Sequence, residues 1–204
     1  MKTINISQIQ FEAKSTPFKN AEQLKKLFEK TKKFKPNLIC TPECSNIITN
    51  DINYLRKNTT FENDCPIINM AKLYAKERNV NINIGSLLLK IKNQKKLVNR
   101  SYFINTKGRI AKTYDKIHMF DVNINKKETH RESDTFQAGS NIVLLNIDKI
   151  KIGFTICYDL RFPNLYRKLS QAGCLFISVQ SAFTETTGNR HWHYLLKARA
   201  IEIC

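Results

Sequence analysis

Cys157 lies where a predicted strand ends in a charged turn, within the stretch GFTICYDLRFP of residues 153–163. Ile152, Phe154 and Ile156 alternate along that strand, and the apolar pattern then stops at the thiol. A lone cysteine in such a place is often a small buried hydrophobe. However, a thiol at a strand end is displayed at the rim of a sheet, where the N-terminus of the next helix favours the thiolate. The position therefore predicts a nucleophile for covalent catalysis.

A cysteine nucleophile needs a base or a cation beside it and an electrophilic group for the oxyanion. The four histidines, at positions 118, 130, 191 and 193, stand in no obviously catalytic context. Glu43 follows a short predicted strand by a rigid Thr-Pro step, and Lys116 closely follows another strand. Each alone is typical of a solvated surface charge. Because all three groups stand at strand ends, we expect Glu43, Lys116 and Cys157 to project from one edge of a sheet.

Alternating strand and helix patterns must position these groups. Helices are predicted from Ala21, Pro66, Pro163 and His191. The polar residues 115–140 predict a long ordered loop that carries function. Alternation over residues 1–204 predicts one α/β domain. The predicted strands cover residues 3–9, 37–40, 80–89, 97–104, 109–114, 142–147, 150–156 and 174–179.

The composition limits the class of protein. A chain of 204 residues with 42% hydrophobic residues suits one globular domain with a substantial core. The apolar runs are too short to cross a bilayer, and the N-terminus does not resemble a signal peptide. With no export signal, the six cysteines predict reduced thiols in a cytoplasmic protein. Cys40 and Cys44 have no second pair at the spacing of a zinc site.

The net charge of +17 raises the alternative of a nucleic-acid partner. The lysines are scattered through nearly every segment, and no motif of a nucleic-acid-binding domain accompanies them. Charge without a motif favours a solvated basic surface. We therefore predict no nucleic-acid partner and no membrane partner, and a basic nucleic-acid-associated protein is an alternative that rests on charge alone.

Three separated motifs, in this order, resemble the catalytic motifs of the nitrilase superfamily of carbon–nitrogen hydrolases. They are Thr-Pro-Glu at 41–43, Tyr-Asp-Lys-Ile-His at 114–118 and the stretch at 153–163. The segments at 181–183 and 191–202 resemble those of its Nit branch of small amidases. The resemblance covers nearly the whole chain and implies a four-layer α-β-β-α sandwich.

The same resemblance implies a role for each site residue. Cys157 would attack an amide carbonyl and form a thioester with loss of ammonia. Glu43 would act as the general base, and Lys116 would stabilise the oxyanion with the backbone N–H of Tyr158. Glu132 matches the second glutamate of the family and would position Lys116 or the substrate. No metal or organic cofactor is required.

The implied substrate is a small linear amide that bears a carboxylate. Within the Nit branch, the resemblance implies a deaminated glutathione amidase or an omega-amidase, and it leans toward the former. Members of the family pair through helices beside the active site, so a homodimer or a higher homo-oligomer is implied. The helices that follow Cys157 and that cover residues 191–202 are the candidates for that surface.

Three departures from the family pattern bear on function. Gln180 stands where the branch has proline, and His193 stands where it has glutamate, so we expect both to alter the substrate side of the site. Family members also continue with further strands beyond the position of Cys204. We therefore expect a sandwich that is incomplete at its C-terminal end. The alternative function is a truncated, catalytically inactive relic of such an amidase.

Overall fold

Strands and helices alternate along the chain, as the sequence pattern predicts. The computed structural model describes residues 3–125, 128–147 and 149–203. The strands are β1 (Ile6–Gln8), β2 (Leu38–Cys40), β3 (Asn81–Lys90), β4 (Leu97–Ile104), β5 (Ile110–Asp115), β6 (Asp121–Asn125), β7 (Glu128–Arg131), β8 (Phe136–Gln137), β9 (Leu144–Ile147), β10 (Ile150–Ile156) and β11 (Phe176–Gln180). The helices are α1 (Pro17–Thr31), α2 (Ile52–Asn58), α3 (Pro66–Arg78), α4 (Pro163–Gln171) and α5 (Glu185–Glu202).

The strands form two sheets and a separate hairpin. In the first sheet the order is β1-β2-β3-β4-β5, with β8 also paired to β4. Strands β1, β2 and β3 run parallel, whereas β4 is antiparallel to both β3 and β5. The second sheet has the order β11-β10-β9, and β10 runs parallel to β11. Strands β6 and β7 form the antiparallel hairpin.

Three apolar interfaces stack the elements into four layers. Helices α1 and α3 cover one face of the first sheet, where Leu24 and Phe28 meet Ile82. The opposite face packs on the second sheet, where Phe103 and Phe154 lie 6.3 Å apart between ring centres. Helices α4 and α5 then cover the outer face of the second sheet. The predicted α-β-β-α arrangement is confirmed, and the ends of β2, β5 and β10 come together between its sheets.

Helix α1 begins four residues earlier than the sequence predicts. Thr16 precedes it, and Pro17 occupies its first turn, where a fixed φ and a missing N–H are tolerated. Asn20 does not cap the helix. Its buried side chain instead bonds the backbone of Lys14 and the carbonyl of Asn46, which ties the helix to the loop after β2. The prediction of a start at Ala21 was wrong, because an asparagine directly before an apolar pattern is typical of a helix cap, whereas the Asn20 side chain bonds residues outside the helix.

The polar segment 115–140 contains regular structure that the sequence did not reveal. The hairpin of β6 and β7 lies in it, followed by a short 3₁₀ turn, Glu132–Asp134, and then β8. Strand β6 alternates only two apolar residues, Val122 and Ile124, with polar ones, and β7 has none, so this short signal was missed in a mostly polar segment. Helix α5 likewise begins at Glu185 rather than at His191, because Thr184 caps it through Thr187 N–H.

Candidate active site

A tight turn after β2 presents Glu43. Thr41 Oγ1 accepts a hydrogen bond from the Gly85 N–H at 3.0 Å and lies 2.9 Å from Ser45 Oγ. A Cβ at Gly85 would lie 2.0 Å from the Thr41 carbonyl oxygen, so only glycine lets β3 approach this turn. Cys44, the residue after Glu43, has φ +53°, in the left-handed region. The rigid turn therefore fixes the direction of the Glu43 side chain.

Glu43, Lys116 and Glu132 form one buried ionic cluster. Lys116 Nζ donates to Glu43 Oε1 at 3.2 Å and to both carboxylate oxygens of Glu132 at 2.9 Å. Asn99 Nδ2 donates to Glu43 Oε1 at 3.0 Å, and Ala182 N–H donates to Oε2 at 2.7 Å. The side chains of Glu43 and Lys116 are only 4% and 2% exposed. The pairing of the charges with these donors compensates for the loss of water.

The ammonium of Lys116 is held in its charged form. Burial alone would lower its pKa, but the carboxylates of Glu43 and Glu132 outweigh burial and hold the pKa of Lys116 well above its usual value. A permanently charged lysine in a dry site is suited to stabilising a negative charge that develops on a substrate oxygen.

Cys157 stands at the end of β10 in a strained turn. Its φ is +50°, which a non-glycine residue rarely adopts, and a 3₁₀ turn, Cys157–Arg161, starts there. Its thiol hydrogen-bonds the Glu43 carboxylate and the Ala182 backbone. The nucleophile and the base that the sequence proposed thus lie in direct contact.

The charge state of Cys157 differs from the sequence expectation. Burial and the neighbouring Glu43 carboxylate raise the pKa of the thiol well above its usual value, although Lys116 acts in the opposite direction. The prediction of a favoured thiolate was wrong, since the strand end is buried against a carboxylate. The resting site holds a thiol that hydrogen-bonds a carboxylate, which is the arrangement that general-base activation requires.

All five residues proposed from the sequence line one cavity of about 830 Å³. Glu43, Lys116, Glu132 and Cys157 lie at its closed end. Tyr158 forms part of the wall, where its ring meets Phe120 edge-on at 5.1 Å. The volume is in the upper part of the range of about 300 to 1,000 Å³ that is usual for small-molecule sites.

Asp159 is a functional candidate that the sequence reasoning missed. It is fully buried, and it accepts hydrogen bonds from Tyr114 Oη at 2.6 Å and from Ile156 N–H at 2.9 Å. It also accepts from His118 N–H at 3.0 Å and pairs with His118 Nδ1 at 2.7 Å. This carboxylate joins the turn that carries Cys157 to the loop that carries Lys116. A charged residue two positions after the proposed nucleophile was the available signal.

Two of the three departures from the family pattern, Gln180 and His193, lie outside the cavity. Gln180 is buried between the sheets, where its Oε1 accepts from Ser178 Oγ at 2.6 Å and its Nε2 lies 3.3 Å from Ser101 Oγ. His193 is exposed on α5. Both line a separate cleft beside β11, so the expectation that they shape the substrate side was wrong. The physical reason for Gln180 is the alternation of β11, which directs this side chain toward the other sheet.

Comparisons with known proteins assign the chain to one family. A family model described as carbon–nitrogen hydrolase matches residues 4–204. The deaminated glutathione amidase of Yersinia enterocolitica is 39% identical over 169 residues, which are 81% of this chain and 58% of that protein. The Dictyostelium discoideum protein of the same name is 36% identical over 90% of this chain and 65% of its own length.

The solved structures show the same architecture. The Caenorhabditis elegans NitFhit protein superposes with a TM-score of 0.87 at 29% sequence identity. The alignment covers 98% of this chain and 48% of that protein. The chain thus spans less than two thirds of the length of these relatives.

Proposed function

Since the chain belongs to the carbon–nitrogen hydrolase family, we propose that it hydrolyses a small linear amide through a cysteine thioester. The observation that carries the proposal is the convergence of a thiol, a carboxylate and an ammonium at the closed end of one cavity. Deaminated glutathione amidases are among the relatives, which supports a carboxylate-bearing amide, with an omega-amidase substrate as the second possibility within this class.

The first half of the reaction forms the thioester. Glu43 accepts the proton of the Cys157 thiol as the sulfur attacks the amide carbonyl carbon, and the C=O π electrons move to oxygen. Lys116 Nζ, together with the backbone N–H of Tyr158, stabilises that oxyanion. The tetrahedral intermediate collapses, the C–N bond breaks, and the proton held by Glu43 passes to the leaving nitrogen. Ammonia departs, and an acyl group remains on Cys157.

The second half hydrolyses the thioester. Glu43, ionised again, accepts a proton from a water molecule that attacks the thioester carbonyl, and Lys116 again stabilises the oxyanion. The C–S bond breaks, the sulfur leaves with the proton from Glu43, and the carboxylic acid product is released. One water is consumed and one ammonia formed per cycle.

Glu132 acts through Lys116 and not on the substrate in this proposal. Both of its oxygens accept from Lys116 Nζ, and Oε2 also accepts from Phe120 N–H at 2.6 Å. Because Glu132 is held by both Lys116 and Phe120, it fixes the position of the Lys116 ammonium. The oxyanion is then stabilised by a donor that is already in place.

The proposed function predicts ammonia release. We expect purified protein to release ammonia from omega-amides of dicarboxylic acids and from deaminated glutathione, and we expect Cys157→Ala to release none. Coupled ammonia detection with mass spectrometry of the acid product measures both. Well-folded protein without turnover of any amide in this series would contradict the proposal and favour the inactive relic.

The family resemblance also carries proposals on location and assembly. We propose that the protein acts in the cytoplasm; among the helices described, none is long and apolar enough to span a bilayer.

We also propose that two copies pair through α5, where Tyr194 and Ile201 are 74% and 77% exposed and lie seven residues apart on one face. Light scattering should give a dimer, and Ile201→Asp should give a monomer. A wild-type monomer at high concentration would exclude the pairing.

A further inference from the structure

Charged side chains of both signs line the cavity, among them Asp134. The closed end holds the carboxylates of Glu43 and Glu132 and the single ammonium of Lys116, which both carboxylates already contact. The summed charge of these three groups is negative, so the carboxylate of a substrate is repelled there. A substrate that carries a carboxylate must therefore place it at the open end, away from Cys157.

Arg56 supplies a cation at the open end. It lies on α2, a short helix capped by Asp51 and anchored by the buried side chain of Leu55. The helix was not predicted from the sequence. Arg56 lines the cavity, and its Nη1 donates to the Lys95 carbonyl at 2.7 Å. That bond fixes the guanidinium and leaves most of its five N–H groups for a ligand.

The charge of Arg56 has no carboxylate partner within the described residues. Arg100, by contrast, forms a bidentate pair with Asp115, and Arg78 and Arg199 also pair with glutamates. Arg131 is a second cation at the rim, but it already donates to the Val122 and His130 carbonyls and to Asn123 Oδ1. Arg131 therefore mainly stabilises the hairpin, whereas the guanidinium of Arg56 still has N–H groups available to bind a ligand.

Apolar side chains line the same cavity. Ile48 and Ile52, 42% and 44% exposed, line the cavity together with Phe120 and Phe136. Such a surface favours a hydrocarbon spacer and offers a carboxylate no hydrogen bond. The cavity thus offers a substrate a thiol, an apolar surface and a guanidinium.

We propose that Arg56 is the carboxylate-binding residue of this site, which selects linear amides with an aliphatic spacer and an anionic end. The inference rests on the proposed function and deepens it. The guanidinium fork matches a carboxylate in two parallel hydrogen bonds, which a lysine cannot reproduce. Arg56 thus acts on specificity, through contact with the end of the substrate farthest from the reacting carbon.

The test compares two amides of the same shape. Glutaramate carries a carboxylate where 5-methylhexanamide carries an uncharged isopropyl group. We expect Arg56→Ala to lower the ratio of kcat/KM for glutaramate to that for 5-methylhexanamide roughly 10- to 100-fold, mainly through KM, as for loss of a charge-assisted hydrogen bond. Arg56→Lys should fall between. Lys57→Ala, an exposed neighbour on α2, removes the same charge outside the cavity and should keep the ratio within about twofold.

A binding measurement tests this inference independently of the proposed function. Calorimetry measures the affinity of glutaramate for Cys157→Ala, which cannot hydrolyse it, and for the double variant that also carries Arg56→Ala. A loss of affinity in the double variant supports the role of Arg56 even if the wild-type protein hydrolyses no amide. Absence of hydrolysis would contradict the proposed function only. Equal affinities, no glutaramate binding to Cys157→Ala, or an unchanged ratio of kcat/KM would each overturn the role of Arg56.

Discussion

Replacement of Glu43 by glutamine should abolish most amide hydrolysis and at the same time make Cys157 ionise more easily. Loss of a positioned general base typically costs roughly 10²- to 10⁴-fold in rate, and we expect kcat to fall by that amount. KM should change less, because Glu43 acts on the thiol and on water. Glu22→Gln, on the exposed face of α1, is the matched control and should retain full activity.

The ionisation effect follows from the sign of each contribution to the pKa of Cys157. Burial raises this pKa most, the Glu43 carboxylate raises it further, and Lys116 lowers it. Glutamine removes the negative charge and leaves Lys116 in place, so the pKa must fall. The rate of alkylation by iodoacetamide follows the thiolate fraction. Its pH profile should therefore move to lower pH in Glu43→Gln, although this variant is the less active enzyme.

Peptide mass spectrometry makes the alkylation measurement specific to one thiol. Cys44 also feels the charge of Glu43, so its profile should move in the same direction. Burial raises the pKa of Cys174 with no contribution from Glu43, and its profile serves as the internal reference. A shift of Cys157 to higher pH, or unchanged hydrolysis of the amides, would show that Glu43 is not the base in contact with this thiol.

The sequence predicts the main parts of the fold and of the site because both depend on strand ends. Apolar alternation located β10, and the turn after it located Cys157. Glu43 and Lys116 followed from the same reasoning, since the ends of neighbouring strands converge in space. The outcome is a cavity that contains all three groups. The hairpin in 115–140 was not predicted, because β7 is polar throughout and the short alternation of Val122 and Ile124 in β6 lies within a mostly polar segment.

Other parts of the site depend on contacts that sequence spacing does not encode. Gln180 looked like a residue of the substrate side until β11 placed it between the sheets. The sequence predicted that a helix N-terminus favours ionisation of the Cys157 thiol, but in the structure the neighbouring Glu43 carboxylate opposes it. Asp159 is the strongest example, because its partners Tyr114 and His118 lie more than forty residues away in the chain.

Asp159 connects the two elements whose relative position decides catalysis. Its Oδ2 accepts from Tyr114, at the end of β5, and from Ile156, the residue before the nucleophile. Its Oδ1 pairs with His118, two residues after Lys116. Because the bonds to Tyr114 and His118 cross from one loop to the other, we expect a change at Asp159 to alter the distance between thiol and ammonium. Asp159 is thus a positioning residue, which acts through Cys157 and Lys116.

Asp159→Asn should therefore lower kcat roughly 10- to 100-fold with little change in KM, since small displacements of catalytic groups have costs of this size. The variant also leaves buried donors unmatched, so the free energy of unfolding should fall by about 3 kcal/mol. Tyr114→Phe removes one hydrogen bond and keeps the carboxylate, and it should cost about 1 kcal/mol. Urea denaturation and steady-state kinetics measure both quantities.

A readout other than stability separates positioning from simple loss of fold. If Asp159 orients the turn, Asp159→Asn should slow hydrolysis at a temperature where the protein remains folded, and it should change the pH profile of Cys157 alkylation. Asp64→Asn, an exposed aspartate in a 3₁₀ turn, should alter neither. A destabilised Asp159→Asn protein with wild-type kcat and a wild-type alkylation profile would reduce this carboxylate to a structural role. The link between the two loops would then not limit the rate, and the contacts of Glu43 with Lys116, Asn99 and Ala182 would suffice to hold the site together.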